Sequence, residues 1–165
     1  TPFTAQIVGG GQEMGNRSGT QNVMGAVGFA AACKAASANE ENESDRLRGL
    51  RDSAYARFET LPLVKASVFV EPNSLEYAPH IVNVTVKGIE SETLIMQLDR
   101  KGVCVSGGSA CASHDLNPSH VLRALGISRD DALGALRLSF GGDTTEQDLD
   151  TFFTAFEEVL HKYAK

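Results

Sequence analysis

The sequence predicts an α/β fold built as a two-layer α/β sandwich, and three observations carry that prediction. Short apolar or β-branched runs alternate with longer stretches whose apolar residues recur at helical spacing. The chain has 165 residues and is 42% hydrophobic, enough for one domain with a substantial core and too short for a second. No internal repeat or linker divides it. The expected order is helix, helix, strand, strand, helix, strand, helix, strand, helix.

Residues 1–20 hold the run Gly9-Gly10-Gly11-Gln12-Glu13-Met14-Gly15-Asn16-Arg17-Ser18-Gly19-Thr20. So many glycines with few apolar anchors leave the backbone free to approach a ligand or another subunit, but they build no core. The spacing of Val23, Met24, Val27, Ala30 and Ala31 predicts a first helix from Gln21 to about Ala38, despite Gly25 and Gly28. Those glycines, with Ala32, permit tight packing against a neighbour, and Cys33 reads as a packing residue. Thr20 stands at the N-cap position; a helix N-terminus with free N–H groups attracts anions, and Arg17 adds charge. The acidic run Asn39-Glu40-Glu41-Asn42-Glu43-Ser44-Asp45 makes a solvated start for a second helix. Its Leu47, Leu50, Ala54, Phe58 and Leu61 repeat at helical spacing up to Pro62, a face that should pack on a sheet.

Ser67 to Val70 and His80 to Val86 read as strands, the second because Ile81, Val82, Val84 and Val86 are β-branched. Glu71-Pro72-Asn73-Ser74 between them has turn chemistry. Ser91 is the expected cap of a helix to about Arg100, with Leu94, Ile95 and Leu98 facing inward. Val103-Cys104-Val105 reads as a buried strand with Cys104 in the core, ended by Gly107-Gly108. Asn117 before Pro118 has the form of an N-cap with proline at the first helical position, and Val121, Leu122 and Leu125 supply that helix's apolar face. Ala135 to Phe140 alternates apolar and polar residues, a half-buried strand with Arg137 and Ser139 on one face. After the turn Gly141-Gly142-Asp143, Thr144 and Gln147 form a capping box for a last helix striped by Leu149, Phe152, Phe153, Phe156, Val159 and Leu160.

The formal net charge of -6 argues against nucleic acid as a partner, since phosphate backbones are gripped by excess Lys and Arg. No apolar run is long enough to span a membrane, and no charged-then-apolar leader opens the chain. Three cysteines, an odd number without the spacing of a secreted disulfide framework, fit a reducing, cytoplasmic setting. The opening Thr1-Pro2-Phe3, with no initiating methionine, leads to the expectation of a segment of something longer.

Chemistry gathers at two places. Cys111 lies among small residues between Val105 and Pro118, on a connection longer than the usual few residues and so expected to be functional. A thiol displayed there can travel, and it reacts as its thiolate. Arg137 offers a planar fork that holds a carboxylate through two parallel hydrogen bonds, which lysine does not reproduce. Composition alone favours a surface salt bridge with one of 21 acidic side chains.

The run Gly102-Val103-Cys104-Val105-Ser106-Gly107-Gly108-Ser109-Ala110-Cys111, continuing to Asn117-Pro118-Ser119-His120-Val121-Leu122-Arg123-Ala124-Leu125-Gly126, closely resembles the active-cysteine loop of the pyridoxal-phosphate-dependent cysteine desulfurases. The long form of that loop belongs to the iron–sulfur-assembly branch of this class V aminotransferase family. Leu136-Arg137-Leu138-Ser139-Phe140-Gly141 is similar to the family segment whose arginine grips the substrate α-carboxylate. Arg17-Ser18-Gly19-Thr20 is similar to the run whose threonine reaches the cofactor phosphate of the other protomer in a homodimer. The resemblance covers nearly the whole chain and implies the small C-terminal domain of a fold-type I pyridoxal 5'-phosphate enzyme over residues 21–165. Residues 1–20 then form a glycine-rich segment belonging to the cofactor site and dimer interface. The implied activity converts L-cysteine to L-alanine and carries the sulfur as a persulfide on Cys111, for an iron–sulfur scaffold or other sulfur-acceptor protein. Cys111 is then catalytic, Arg137 binds substrate, Thr20 and Arg17 meet the cofactor phosphate, and no metal is required.

The chain also departs from the family pattern. None of Lys34, Lys65, Lys87, Lys101, Lys162 and Lys165 stands in the Ser-x-His-Lys setting that carries the cofactor, so the chain alone is expected to be inactive. Met14 replaces the usual basic residue, Asn16 a larger apolar one, and Gly142 a frequent arginine. Two other readings stay open. Cys104, Cys111, His114 and His120 are a ligand set that zinc accepts, which would make the chain a metal-binding or docking module. Within the family, a selenocysteine lyase would react by similar steps. His80 and His161 read as surface residues.

Overall fold

In the computed structural model, residues 2–108 and 119–163 are described, and the chain falls into two units, Thr1–Glu40 and Glu41–Lys165. The first unit contains a 3-10 turn at Glu13–Gly15 and helix α1, Val23–Ser37. The cap of α1 is Asn22, whose side chain accepts from the Gly25 N–H at 2.9 Å, so the expected cap at Thr20 is corrected by two residues. Helix α1 buries none of its residues, and Cys33 is exposed where packing was expected. The reason is that the unit has no core: Val23, Met24, Val27 and Phe29 are all exposed, and Ser18 is its one buried side chain among the described residues.

The second unit runs α2 (Glu40–Glu59), β1 (Val64–Ala66), β2 (Ile81–Val86), α3 (Ser91–Asp99), α4 (His120–Ala124), α5 (Arg129–Leu133), β3 (Ala135–Ser139) and α6 (Glu146–Tyr163). The strands form an antiparallel sheet in the order β1-β2-β3, with Val64 opposite Val86 and Asn83 opposite Arg137. Period-two alternation sends Val82, Val84, Leu136 and Leu138 to one face, where each is at most 5% exposed. The stripes of α2 and α6 cover that face as expected. Phe58, Phe152, Phe153 and Phe156 pack with ring centroids 4.8–5.9 Å apart, and each buried ring contributes roughly 1.5–3 kcal/mol. Leu94 and Leu98 bring α3 into the same core.

Among the described residues the opposite face is covered only in part. Leu122 of α4 and Ala132 of α5 bury Ala135, the first residue of β3, in a second small cluster. Gly134, just before it, has no room for a side chain, because a Cβ there would run into the carbonyl oxygen of Val86. Helix α5 went unforeseen; its signal is Ser128, whose hydroxyl accepts from the Asp131 N–H at 3.1 Å.

Several boundaries differ from expectation for local reasons. The first strand is Val64–Ala66, not 67–70; its register ends as Ser67 donates to the Asn83 carbonyl at 3.0 Å and the chain bends, leaving Phe69 exposed. Val103-Cys104-Val105 is not a strand: Val103 and Val105 rest on the core, Cys104 is exposed, and the following Ser106 forms an isolated backbone bridge with Arg137. Glu90, not Ser91, is the N-cap of α3, and the Ser91 hydroxyl instead donates to the Ala135 carbonyl. Asn117 and Pro118 lie outside the described residues, where α4 begins with Ser119 as N-cap; Leu122 is buried while Val121 and Leu125 are exposed. The capping box of α6 sits one residue later, Thr145 with Asp148, each donating its N–H to the other's side chain at 2.9 and 3.2 Å.

Candidate functional site

The site grows from the open half of the sheet. Arg137 is half-buried in β3, with its backbone spent on the neighbouring segment: its N–H donates to the Ser106 carbonyl at 2.6 Å and its carbonyl accepts from the Ser106 N–H at 3.2 Å. The side chain is less well provided for. Its Nε is buried with no hydrogen-bond partner among the described residues. An orphaned buried donor on a charged group is costly, so this guanidinium is ready to donate to an anionic ligand. The expected salt bridge is not among the ion pairs of the described residues.

Both roots of residues 109–118 lie along β3. On one side Ser106 is hydrogen-bonded to Arg137, and Gly107 is pressed against α3 so closely that an added Cβ would come 2.7 Å from the Ser91 hydroxyl oxygen. On the other side α4 is anchored through Leu122 to Ala135. Cys111 and His114 themselves lie outside the described residues. Cys104 and His120 are exposed, and among the described residues no group of three or more His, Cys, Asp or Glu could hold a metal ion.

Asn83, the cross-strand partner of Arg137, was not singled out from the sequence, although β2 alternation marks it as facing away from the core. Its N–H donates to the Tyr55 hydroxyl at 3.3 Å, and burial pushes the Tyr55 phenol above its ordinary pKa, keeping it protonated.

In the first unit, Arg17 and Thr20 are exposed, and the Arg17 guanidinium reaches the carbonyls of Gly19 and Thr20 at 3.4 Å each. The loop is braced by Ser18, whose hydroxyl accepts from Gly11, and by Gln12, whose side chain accepts from Gly19. Glu13 and Met14 are held at φ 53° and 55°, a conformation costly for residues other than glycine. Thr20 and Arg17 are neighbours on this loop through the Arg17–Thr20 carbonyl contact, and a hydroxyl and a guanidinium are donor types that suit a phosphate group.

Residues 6–152 match the family model described as Aminotransferase class-V. The chain is 40% identical over 156 residues to a cysteine desulfurase IscS of Clostridium botulinum, covering 93% of this chain and 38% of that protein. It is 42% identical over 158 residues to a cysteine desulfurase IscS of Photorhabdus laumondii, covering 96% of this chain and 37% of that protein. Among solved structures, a NifS-like protein superposes with TM-score 0.78 at 32% identity, covering 98% of this chain and 40% of that one. A NifS-like protein of Rickettsia africae gives TM-score 0.78 at 26% identity, covering 98% and 41%. The chain thus spans well under half the length of the relatives it matches.

Proposed function

Because the chain belongs to the aminotransferase class-V family, we propose that it is part of a cysteine desulfurase, the name its curated relatives carry. The observation that carries this reading is the half-buried Arg137, its Nε without a partner among the described residues, at the root of the segment that holds Cys111. From Gly108, the last described residue before it, Cys111 is three residues away, a reach of about 10 Å at full extension.

In this reading Arg137 binds the α-carboxylate of L-cysteine and turns the substrate sulfur toward the Cys111 loop. The Cys111 thiolate attacks that sulfur; the S–S bond forms, the substrate C–S bond breaks, and L-cysteine plus the thiol become L-alanine plus a Cys111 persulfide. Arg17 and Thr20 would hold the phosphate of pyridoxal 5'-phosphate, which when bound supplies the electron sink for loosening the C–S bond. None of the six lysines in this sequence stands in the Ser-x-His-Lys setting, so the lysine partner of the cofactor belongs to another part of the protein. Residues 1–20 serve the cofactor site and a homodimer interface, Thr20 acting on the partner protomer's phosphate, and residues 21–165 form the small domain. The persulfide passes to an iron–sulfur scaffold or similar acceptor in the cytoplasm, where thiols stay reduced. No helix among the described residues is long and apolar enough to cross a membrane.

The test is the full gene product with L-cysteine, followed by alanine release and by persulfide labelling. Cys111→Ala should abolish persulfide, and Arg137→Lys should raise KM by about tenfold or more. Wild-type persulfide formation in Cys111→Ala would end this reading.

A further inference from the structure

The open face of the sheet carries a second group beside Arg137. Ladder hydrogen bonds join Phe140 N–H to His80 O and Val86 N–H to Gly134 O. By alternation, Asn83–Arg137 is a non-hydrogen-bonded pair, the kind whose side chains stand closest, with Cα atoms about 4.5 Å apart. The Asn83 backbone is spent on Tyr55 and Ser67. Its side-chain Oδ1 accepts from the Ser67 hydroxyl at 2.6 Å, which fixes the plane of the amide and leaves the Nδ2 hydrogens as donors on the face Arg137 shares.

The next row of that face, Thr85 and Ala135, is closed off by α4 and α5, whereas the row of Ile81 and Ser139 is exposed. Asn83 and Arg137, both half-buried, are therefore the first open row beside the cover, where partial desolvation strengthens a hydrogen bond to an anion.

We propose that Asn83 is a second donor to the substrate carboxylate: its Nδ2 hydrogen-bonds the carboxylate held by Arg137, with Ser67 as the positioning residue that orients the amide. The inference rests on the cysteine desulfurase reading and adds the element that selects a carboxylate-bearing substrate. A neutral amide suits this place, because it completes the ring of donors without the repulsion a second cation beside the guanidinium would bring.

The experiment uses the cofactor-loaded full gene product with Asn83→Leu, Asn83→Asp and Ser67→Ala. Both Asn83 variants should raise KM for L-cysteine by about tenfold or more with kcat within about twofold, the pattern of a lost binding contact. Calorimetry should show L-alanine binding weakened to the same degree, while inhibition by cysteamine, which has no carboxylate, stays unchanged. Ser67→Ala should raise KM less, by about threefold, since the amide remains but is free to turn. Should Asn83→Leu fail to fold, Asn83→Asp keeps the acceptor for Ser67 and tests the site by charge alone. Unchanged KM and alanine affinity in Asn83→Asp, with Arg137→Lys impaired, would overturn this inference alone. Unchanged behaviour in Arg137→Lys as well would remove the reading beneath it.

Discussion

The two faces of one three-stranded sheet do different work. On the inner face Val82, Val84, Leu136 and Leu138 lie under the phenylalanines of α2 and α6, almost wholly out of water. On the outer face, in the same strands, Asn83 and Arg137 stand half-open, with only the Ala135 end covered by the described residues. Neighbouring residues one step apart in sequence thus face the packed core or the half-open side according to parity alone. A substitution at an even-numbered β3 position should act on unfolding, and one at Arg137 on ligand affinity.

The largest expected effect is on the inner face. Phe156 is 0% exposed and touches Phe58 and Phe152, so Phe156→Ala should cost about 3–5 kcal/mol in urea denaturation. A loss below about 1 kcal/mol would mean that the phenylalanine cluster is not the centre of the core. A similar effect is expected at the rim, where Arg51 is 0% exposed and paired with Asp52 at 2.8 Å. Arg51 also donates to the carbonyls of Ser74 and Tyr77, while Asp52 accepts from the Asn73 N–H, so the pair pins the turn after β1 to α2. Asp52→Ala, which leaves the buried guanidinium uncompensated, should cost about 3 kcal/mol.

The outer face should behave otherwise. Arg137→Met removes an orphaned buried Nε, so the unfolding free energy from urea denaturation should move by no more than about 1 kcal/mol in either direction, while in the proposed reading affinity for the substrate carboxylate is lost. A destabilisation of the size expected for Phe156→Ala would place Arg137 with the core and dissolve the contrast between the faces.

How much of this was legible depended on which force decided each element. Strong periodicity is local, so the stripes of α2 and α6 and the strands at 81–86 and 135–139 agree with the reading from residues alone. Where tertiary partners decide, local chemistry misled. Ser91 had the right place for a cap but spends its hydroxyl on Ala135, and Thr144 yielded its capping role to Thr145. Cys104 sits between two valines that do face the core, yet alternation turns the thiol outward. Helix α1 reads as a packing helix, yet none of its residues is buried. At the candidate site, the Arg137 motif was visible, whereas Asn83 became apparent only from cross-strand register, which no single stretch of sequence encodes.

The smallest expected effect tests the exposed edge of the helical layer through pH. Hydrogen bonds from the Thr145 hydroxyl and N–H hold the Asp148 carboxyl below its ordinary value of 3.8. A carboxyl whose folded pKa is depressed binds its proton more readily when unfolded, so folding is favoured while the group is ionised. That contribution is complete above 3.8, shrinks as pH falls below it, and is gone once pH passes under the lowered folded value. Asp148→Asn should therefore be less stable than the parent chain near neutrality, and the gap should close at the acid end of a denaturation series. Because the carboxylate is exposed, added salt should narrow the gap as well. A gap that persists unchanged in acid would assign the role of Asp148 to helix geometry and not to its charge.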